Sequence, residues 1–336
     1  RGIRFGPGQD ITRALSPQMT SSPHRSLVRP RALPDGGTIG LVSPSRPGDP
    51  AAIARTTRYL EGRGYRVITA PQATDSYHYI AGRDTARAQA LMAAFAHSDI
   101  GAVICTRGGF GSGRILDLLD YDVIAANPKP VVGFSDSTGL HLALLARCGL
   151  IGITGALADT DLSRQPPPAA TTESLWQLLT RTQPLGSIAS GPDVTVLRHG
   201  SATGSLIPAN LALLCSLLGT PYAPDLTGAI LLVEDVWEVP YRLDRMFTQL
   251  RLAGILDQIH GLALGIFRRC FVPEEMDASP TLEEIVLDAV GDRPLPILNG
   301  VAYGHMSGRL SLPIGALSRL ETDPPGLSVL EAAVEA

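Results

Sequence analysis

Between residues 36 and 150 the chain repeats one rhythm four times: a short apolar β-like run, a break or loop, and a longer run with apolar residues at helical spacing. GGTIGLVSPS (36–45) leads into DPAAIARTTRYLEGRGY (49–65). RVITAP leads into DTARAQALMAAFAHSDI (84–100), where Asp84 stands in the N-cap position. GAVICT (101–106) leads into GRILDLLDYDVIAAN, and KPVVGF (129–134) into STGLHLALLARCG. Strands separated by helices do not pair as hairpins; they lie parallel, joined by crossovers that cover both faces of the sheet. The rhythm predicts an α/β domain with a parallel sheet.

It stops at ADTDLSRQPPPAATTES (158–174), where three consecutive prolines exclude both a helix interior and a central strand. Beyond it, short β-like runs (DVTVL, AILLVED, GLALGIF, PILNGVAYG, RLSLPIG, GLSVLEA) mix with a few helical ones (ANLALLCSLLG, YRLDRMFTQLRLAG, TLEEIVLDAV). That is the pattern of a smaller, β-rich α+β domain. The expected division is an N-terminal domain over 29–165, a linker region over 166–200 and a C-terminal domain over 201–336. Residues 1–28 lack both a period and the roughly 7–15-residue apolar core of a secretory signal, and read as a mobile extension.

Composition narrows the partners. With 44% hydrophobic and 18% charged residues, the 336-residue chain has the balance and length of a globular protein with two cores. A net charge of −4 argues against nucleic acid or an anionic membrane as a partner. No apolar run approaches the ~18 residues of a membrane span. Cys105, Cys148, Cys215 and Cys270 form no CxxC pair and lie in or beside apolar stretches. They read as reduced core thiols of a cytoplasmic protein rather than as disulfides or zinc ligands.

Chemistry is concentrated where apolar runs end. VVGFSDSTGL places Ser135 between the fourth strand and its helix, and functional groups of parallel sheets gather at such carboxyl ends. The arrangement resembles a nucleophile elbow, although Ser137 replaces the second glycine of G-x-S-x-G; a helix cap is the bland reading. CTRGGFGSGR (105–114) leaves the third strand as a glycine-rich loop, matching neither the dinucleotide fingerprint nor the Walker loop. Its Arg107 and Arg114 suit either a carboxylate ligand or an ordinary surface.

A serine needs a base. His141 lies six residues along from Ser135, about 9 Å of helix rise away, and His97 sits at a helix end where the dipole suits an imidazolium. His24, His78, His199 and His260 fall in the tail, a loop and loop-to-strand transitions. His305, in YGHMSG, stands between two β-like runs and is framed by Gly304 and Gly308. GAILLVEDVWE runs an apolar strand into Glu234; a carboxylate there needs a partner, either a catalytic one or nearby Arg242 or Arg245.

Taken in this order, GFSD, VED…E and GH make the chain from about Arg29 onward resemble the LD-carboxypeptidase family of serine peptidases, which includes the microcin-immunity peptidases. The resemblance implies a Rossmann-like N-terminal domain, a smaller β-rich C-terminal domain and a homodimer. It also implies a Ser–His–Glu triad of Ser135, His305 and Glu234, without metal or other cofactor. The expected oxyanion donors are backbone amides of Asp136 and of the Gly108–Gly109 loop. The implied substrate is a small peptide or peptide conjugate. Foremost is the LD-amide bond between meso-diaminopimelate and D-alanine in cytoplasmic murein tetrapeptides. The alternatives are an immunity-type peptidase acting on a peptide–nucleotide conjugate and a catalytically silent binding protein; RGGFGSGR resembles the carboxypeptidase version of the loop. Pro208 and Ala209 where many members carry two glycines, Trp237 beside Glu234, and ALADTDLS after Gly155 depart from the family pattern.

Overall fold

The structure is a computed structural model, and it describes residues 26–190, 193–271 and 279–336. Residues 1–25 of the expected extension lie outside the described residues, while Val28 bridges to Leu150 and Arg31 to Glu335.

The first lobe runs β1 (Thr38–Val42), α1 (Pro50–Gly62), β2 (Arg66–Thr69), α2 (Asp84–Ala96), β3 (Ile100–Cys105), α3 (Tyr121–Ala126), β4 (Val131–Gly133), α4 (Ser137–Cys148) and β5 (Gly152–Thr154). A connecting stretch carries α5 (Ala169–Thr180), β6 (Gly186–Ser190) and β7 (Thr195–Arg198). The second lobe follows with β8 (Ser201–Asn210), α6 (Leu211–Leu217), β9 (Ile230–Val236), α7 (Pro240–Leu252), α8 (Ile255–Gln258), β10 (Gly261–Arg268), α9 (Leu282–Val290) and β11 (Ile297–Gly304). The chain closes with β12 (Leu312–Ile314), β13 (Leu317–Thr322) and β14 (Pro325–Val329).

Two sheets result, in a two-domain mixed α/β fold. In the first, the order is β12-β5-β4-β3-β1-β2, and β1 to β5 are mutually parallel. Every residue of β1 and all but one of β3 are buried, as a sheet covered on both faces requires. The second has the order β6-β14-β13-β8-β9-β10-β11-β7. Its centre, β8 to β11, is also parallel because α6, α7–α8 and α9 provide the crossovers. Antiparallel strands flank that centre.

The lobes are not strung apart. β12 comes from near the end of the chain, yet pairs antiparallel with β5 of the first sheet. Helix α4, buried along nearly its whole length, packs against α6. One apolar core extends from Leu91 and Leu142 to Leu214, Phe247 and Leu264.

Local chemistry sets several boundaries. Asp49 accepts from the Ala52 amide and Pro50 opens α1. Asp84 is not the cap of α2 but its first residue, and its carboxylate pairs with Arg87 and Arg114. GRILDLLDYDVIAAN is not one helix: a 3-10 turn over Ser112–Leu118 gives way to α3, whose cap Asp120 accepts from the Asp122 and Val123 amides. Ordered elements α5, β6 and β7 occupy the stretch expected as a linker, since the helix begins only after the three prolines. Among the described residues no helix is long and apolar enough to cross a membrane.

Candidate active site

The carboxyl ends of the parallel strands β4, β9 and β11 converge, and the candidate residues meet there. Ser135 follows β4 with φ +61, a left-handed conformation that costs a non-glycine residue of order 1–3 kcal/mol and is kept where surroundings enforce it. Here they do. Gly133 leaves room for Ser137, whose Cβ and Oγ lie 2.6 Å from where a side chain at 133 would begin. The Asp136 carboxylate accepts from Ser45 Oγ at 2.5 Å and the Ser112 amide at 2.8 Å, while Ser112 Oγ donates to the Asp136 carbonyl at 2.5 Å. The elbow is thus tied to the end of β1 and to the glycine-rich loop. Gly108 of that loop lies against Ser135: a Cβ at 108 would sit 3.0 Å from the serine Cβ.

Glu234 comes from the second sheet. Parallel pairing of β8 and β9 places it beside Asn210, and its side chain is wholly buried. A carboxylate buried this deeply needs hydrogen-bond donors. Glu234 has three donors: Asn210 Nδ2 at 3.2 Å on Oε1, and on Oε2 the His305 amide at 3.2 Å and His305 Nδ1 at 2.7 Å. His305 follows β11, and its Nε2 lies 2.9 Å from Ser135 Oγ. Its ring stands 4.8 Å from that of Phe134, and Arg268 donates to its carbonyl at 3.0 Å. With Nδ1 donating to the Glu234 carboxylate, Nε2 offers its lone pair to the serine hydroxyl. The arrangement can move a proton off the serine and store the positive charge beside a buried carboxylate.

Asp235 makes no hydrogen bond with Ser135 or His305 and has donors of its own. It accepts from Asn210 Nδ2 at 2.9 Å, the Val236 amide at 2.8 Å and the Ala212 amide at 2.9 Å, which ties β9 to the start of α6. Burial pushes its carboxyl up to about 6 against the pull of those donors. Asn210 therefore serves both acids and also caps α6 through its own oxygen, 3.1 Å from the Leu213 amide. Its place at the end of an apolar β-like run was the available sequence signal; its partnership with Glu234 needed the strand register.

The remaining candidates go elsewhere. His141 is fully buried on α4, its Nε2 3.2 Å from the Val131 carbonyl, and burial lowers it to about 4. His97 Nδ1 accepts from the Asp99 amide at the end of α2. Arg114 pairs with Asp84 at 2.7 Å and Arg107 with Asp159 at 3.5 Å, so both cations already have carboxylates. Arg242 pairs with Glu238 at 2.7 Å, leaving Glu234 to His305 and Asn210. Trp237 is exposed, with φ +65, and the Arg269 guanidinium stacks 4.4 Å from its ring centre.

An alcohol, an imidazole and a buried acid in one relay across a strand–helix elbow mark the class of serine-type hydrolases. Comparison with known proteins narrows it: the LD-carboxypeptidase N-terminal domain matches residues 39–155 and the LD-carboxypeptidase C-terminal domain residues 203–320. The chain belongs to the LD-carboxypeptidase family, and is an enzyme of serine-type carboxypeptidase class. It is 35% identical over 306 residues to the probable murein peptide carboxypeptidase of Bacillus subtilis, covering 91% of this chain and 95% of that one. It is 32% identical over 295 residues to the murein tetrapeptide carboxypeptidase of Pseudomonas aeruginosa, covering 86% and 94%. The microcin C7 self-immunity protein MccF of Escherichia coli is 28% identical over 340 residues, covering 92% and 96%. A solved wild-type apo structure of MccF superposes with a TM-score of 0.84 at 25% identity, covering 92% of this chain and all of that one. MccF has also been solved in complex with aspartyl sulfamoyl adenosine.

Proposed function

We propose that the protein is an LD-carboxypeptidase that removes the terminal D-alanine from murein tetrapeptides through Ser135, His305 and Glu234. The observation that carries this reading is the continuous relay, 2.7 Å from Glu234 to His305 and 2.9 Å from His305 to Ser135. His305 Nε2 takes the hydroxyl proton as Ser135 Oγ attacks the scissile carbonyl, while Glu234 holds the ring in orientation and stabilises the imidazolium. The carbonyl oxygen becomes an oxyanion facing the Asp136 amide and the amides of Gly108 and Gly109. Collapse breaks the C–N bond, His305 passes its proton to the leaving amine, and D-alanine departs. Water then attacks the Ser135 ester by the same route in reverse, releasing the shortened peptide. With this substrate go a cytoplasmic site of action and assembly as a homodimer, the latter measured by sedimentation.

Likeness to MccF supports a second reading, cleavage of an aminoacyl or peptidyl nucleotide conjugate. One experiment separates the two. The protein is incubated with a murein tetrapeptide and with an aspartyl sulfamoyl adenosine, and products are followed by mass. We expect loss of one alanine from the tetrapeptide, abolished in Ser135→Ala by a factor on the order of 10⁴ or more. Cleavage of the conjugate alone selects the second reading, and full activity of Ser135→Ala rejects the nucleophile.

A further inference from the structure

The arginines around the cleft differ in one respect. Arg87 is spent on Asp84 and on the Pro44 and Gly111 carbonyls. Arg107 and Arg114 have carboxylates, Arg309 has Asp161 and the Gly155 carbonyl, and Arg268 has the His305 carbonyl. Arg46 has none: among the described residues no carboxylate or carbonyl accepts from its guanidinium, and the side chain is exposed.

Its position is nevertheless built. The Arg46 amide donates to the Gly108 carbonyl at 3.4 Å, and the preceding Ser45 is held at both ends, by its carbonyl to the Ala81 amide at 2.9 Å and by its hydroxyl to Asp136 at 2.5 Å. The arginine stem lies across Gly109, where any side chain would collide with its Cγ and Cδ. Gly109 adjoins Gly108, and Gly108 abuts Ser135. An unpaired cation thus stands on the loop whose Gly108 lies against Ser135. The terminal carboxylate of a leaving amino acid is separated from the scissile amide nitrogen by a single Cα, so it falls beside the reacting groups.

We infer that Arg46 binds the free carboxylate of the leaving residue and so makes the enzyme specific for a chain terminus; this rests on the peptidase reading. A planar guanidinium suits a carboxylate through paired N–H donors, and the glycine beneath it lets the stem approach the loop. An internal peptide bond would leave this cation without its anion, which disfavours endopeptidase cleavage.

The test measures binding by calorimetry to Ser135→Ala protein, which cannot consume the ligand. Three peptides ending in diaminopimelyl-D-alanine are compared: one with a free C-terminus, one with a C-terminal carboxamide, and one amidated only on the diaminopimelate side-chain carboxyl. We expect the terminal carboxamide to bind about 10- to 100-fold more weakly, the range for a hydrogen-bonded charged group. The acyl-side amide should bind as the free peptide does. Adding Arg46→Gln should erase the difference by weakening the free-terminus peptide alone, and Arg46→Lys should restore part of it. Persistence of the preference in Arg46→Gln, equal weakening of all three peptides, sensitivity only to the acyl-side carboxyl, or no binding of any peptide would each overturn the assignment. Wild-type protein is assayed for hydrolysis of the free peptide in parallel. Carboxylate-dependent binding without cleavage would overturn the peptidase reading and leave the Arg46 subsite standing.

Discussion

Two buried titratable side chains pull the pH dependence of stability in opposite directions. Asp235 is raised from 3.8 to about 6, first by burial. Its contribution to stability is fully present below its unfolded value and is lost as pH rises through 6, by about 3 kcal/mol for a two-unit shift. His141 is lowered from 6.5 to about 4, again first by burial. Its contribution is present above 6.5 and is lost as pH falls toward 4, by a similar amount. Between pH 4 and 6.5 the two slopes offset each other. Urea unfolding of the wild type should therefore show little pH dependence from these groups. Asp235→Asn should expose the histidine slope, with stability falling by about 3 kcal/mol as pH drops from 6.5 to 4. A flat profile in that variant would refute the assignment. The mutant will also be less stable throughout, because an amide nitrogen would face one of the backbone N–H groups that Asp235 now accepts.

At the level of elements, the candidate site depends on a loop and a turn that brace each other. The glycine-rich loop after β3 donates two hydrogen bonds from Ser112 to Asp136, and Gly108 rests on Ser135. A methyl group at 108 would meet the Ser135 Cβ at 3.0 Å and the Phe134 carbonyl at 3.2 Å. Gly108→Ala should therefore lower kcat by about 10²-fold, the scale of losing an oxyanion donor, while circular dichroism and unfolding midpoint stay near wild type. Unchanged kcat would remove this loop from the reaction. The sequence marked the loop by its glycines and the elbow by a serine at a strand end, both local features. It did not mark Ser45 and Ser112 as supports of the elbow, or Asn210 as a partner of Glu234, because each acts across 24 to 91 residues of chain. Nor did it mark the break before α3, where helical spacing continues but Asp120 offers the backbone a cap.

Across the whole molecule, the two lobes must hold a fixed distance if Ser135 and His305 are to remain in contact. One tie is internal: Tyr303 on β11 shares a 3.0 Å hydrogen bond with Thr154 on β5, and its ring meets Phe134 edge-on at 5.8 Å. Tyr303→Phe leaves the buried Thr154 hydroxyl without that partner and should cost about 1–3 kcal/mol in denaturant unfolding. An unchanged midpoint would show that β12 and the shared core suffice to hold the lobes. What the sequence by itself determined here was what neighbouring residues decide: the βαβ rhythm, the apolar strands, most helix positions, and the chemical character of Ser135, Glu234 and His305 at or just beyond strand ends. The relay itself was decided only by tertiary structure. His305 lies 71 residues from Glu234 and 170 from Ser135, so their contact follows from the β8–β9–β10–β11 register and from β12 crossing to the first sheet. Periodicity and capping act over a few residues, whereas register and lobe closure are set by burial summed over both sheets.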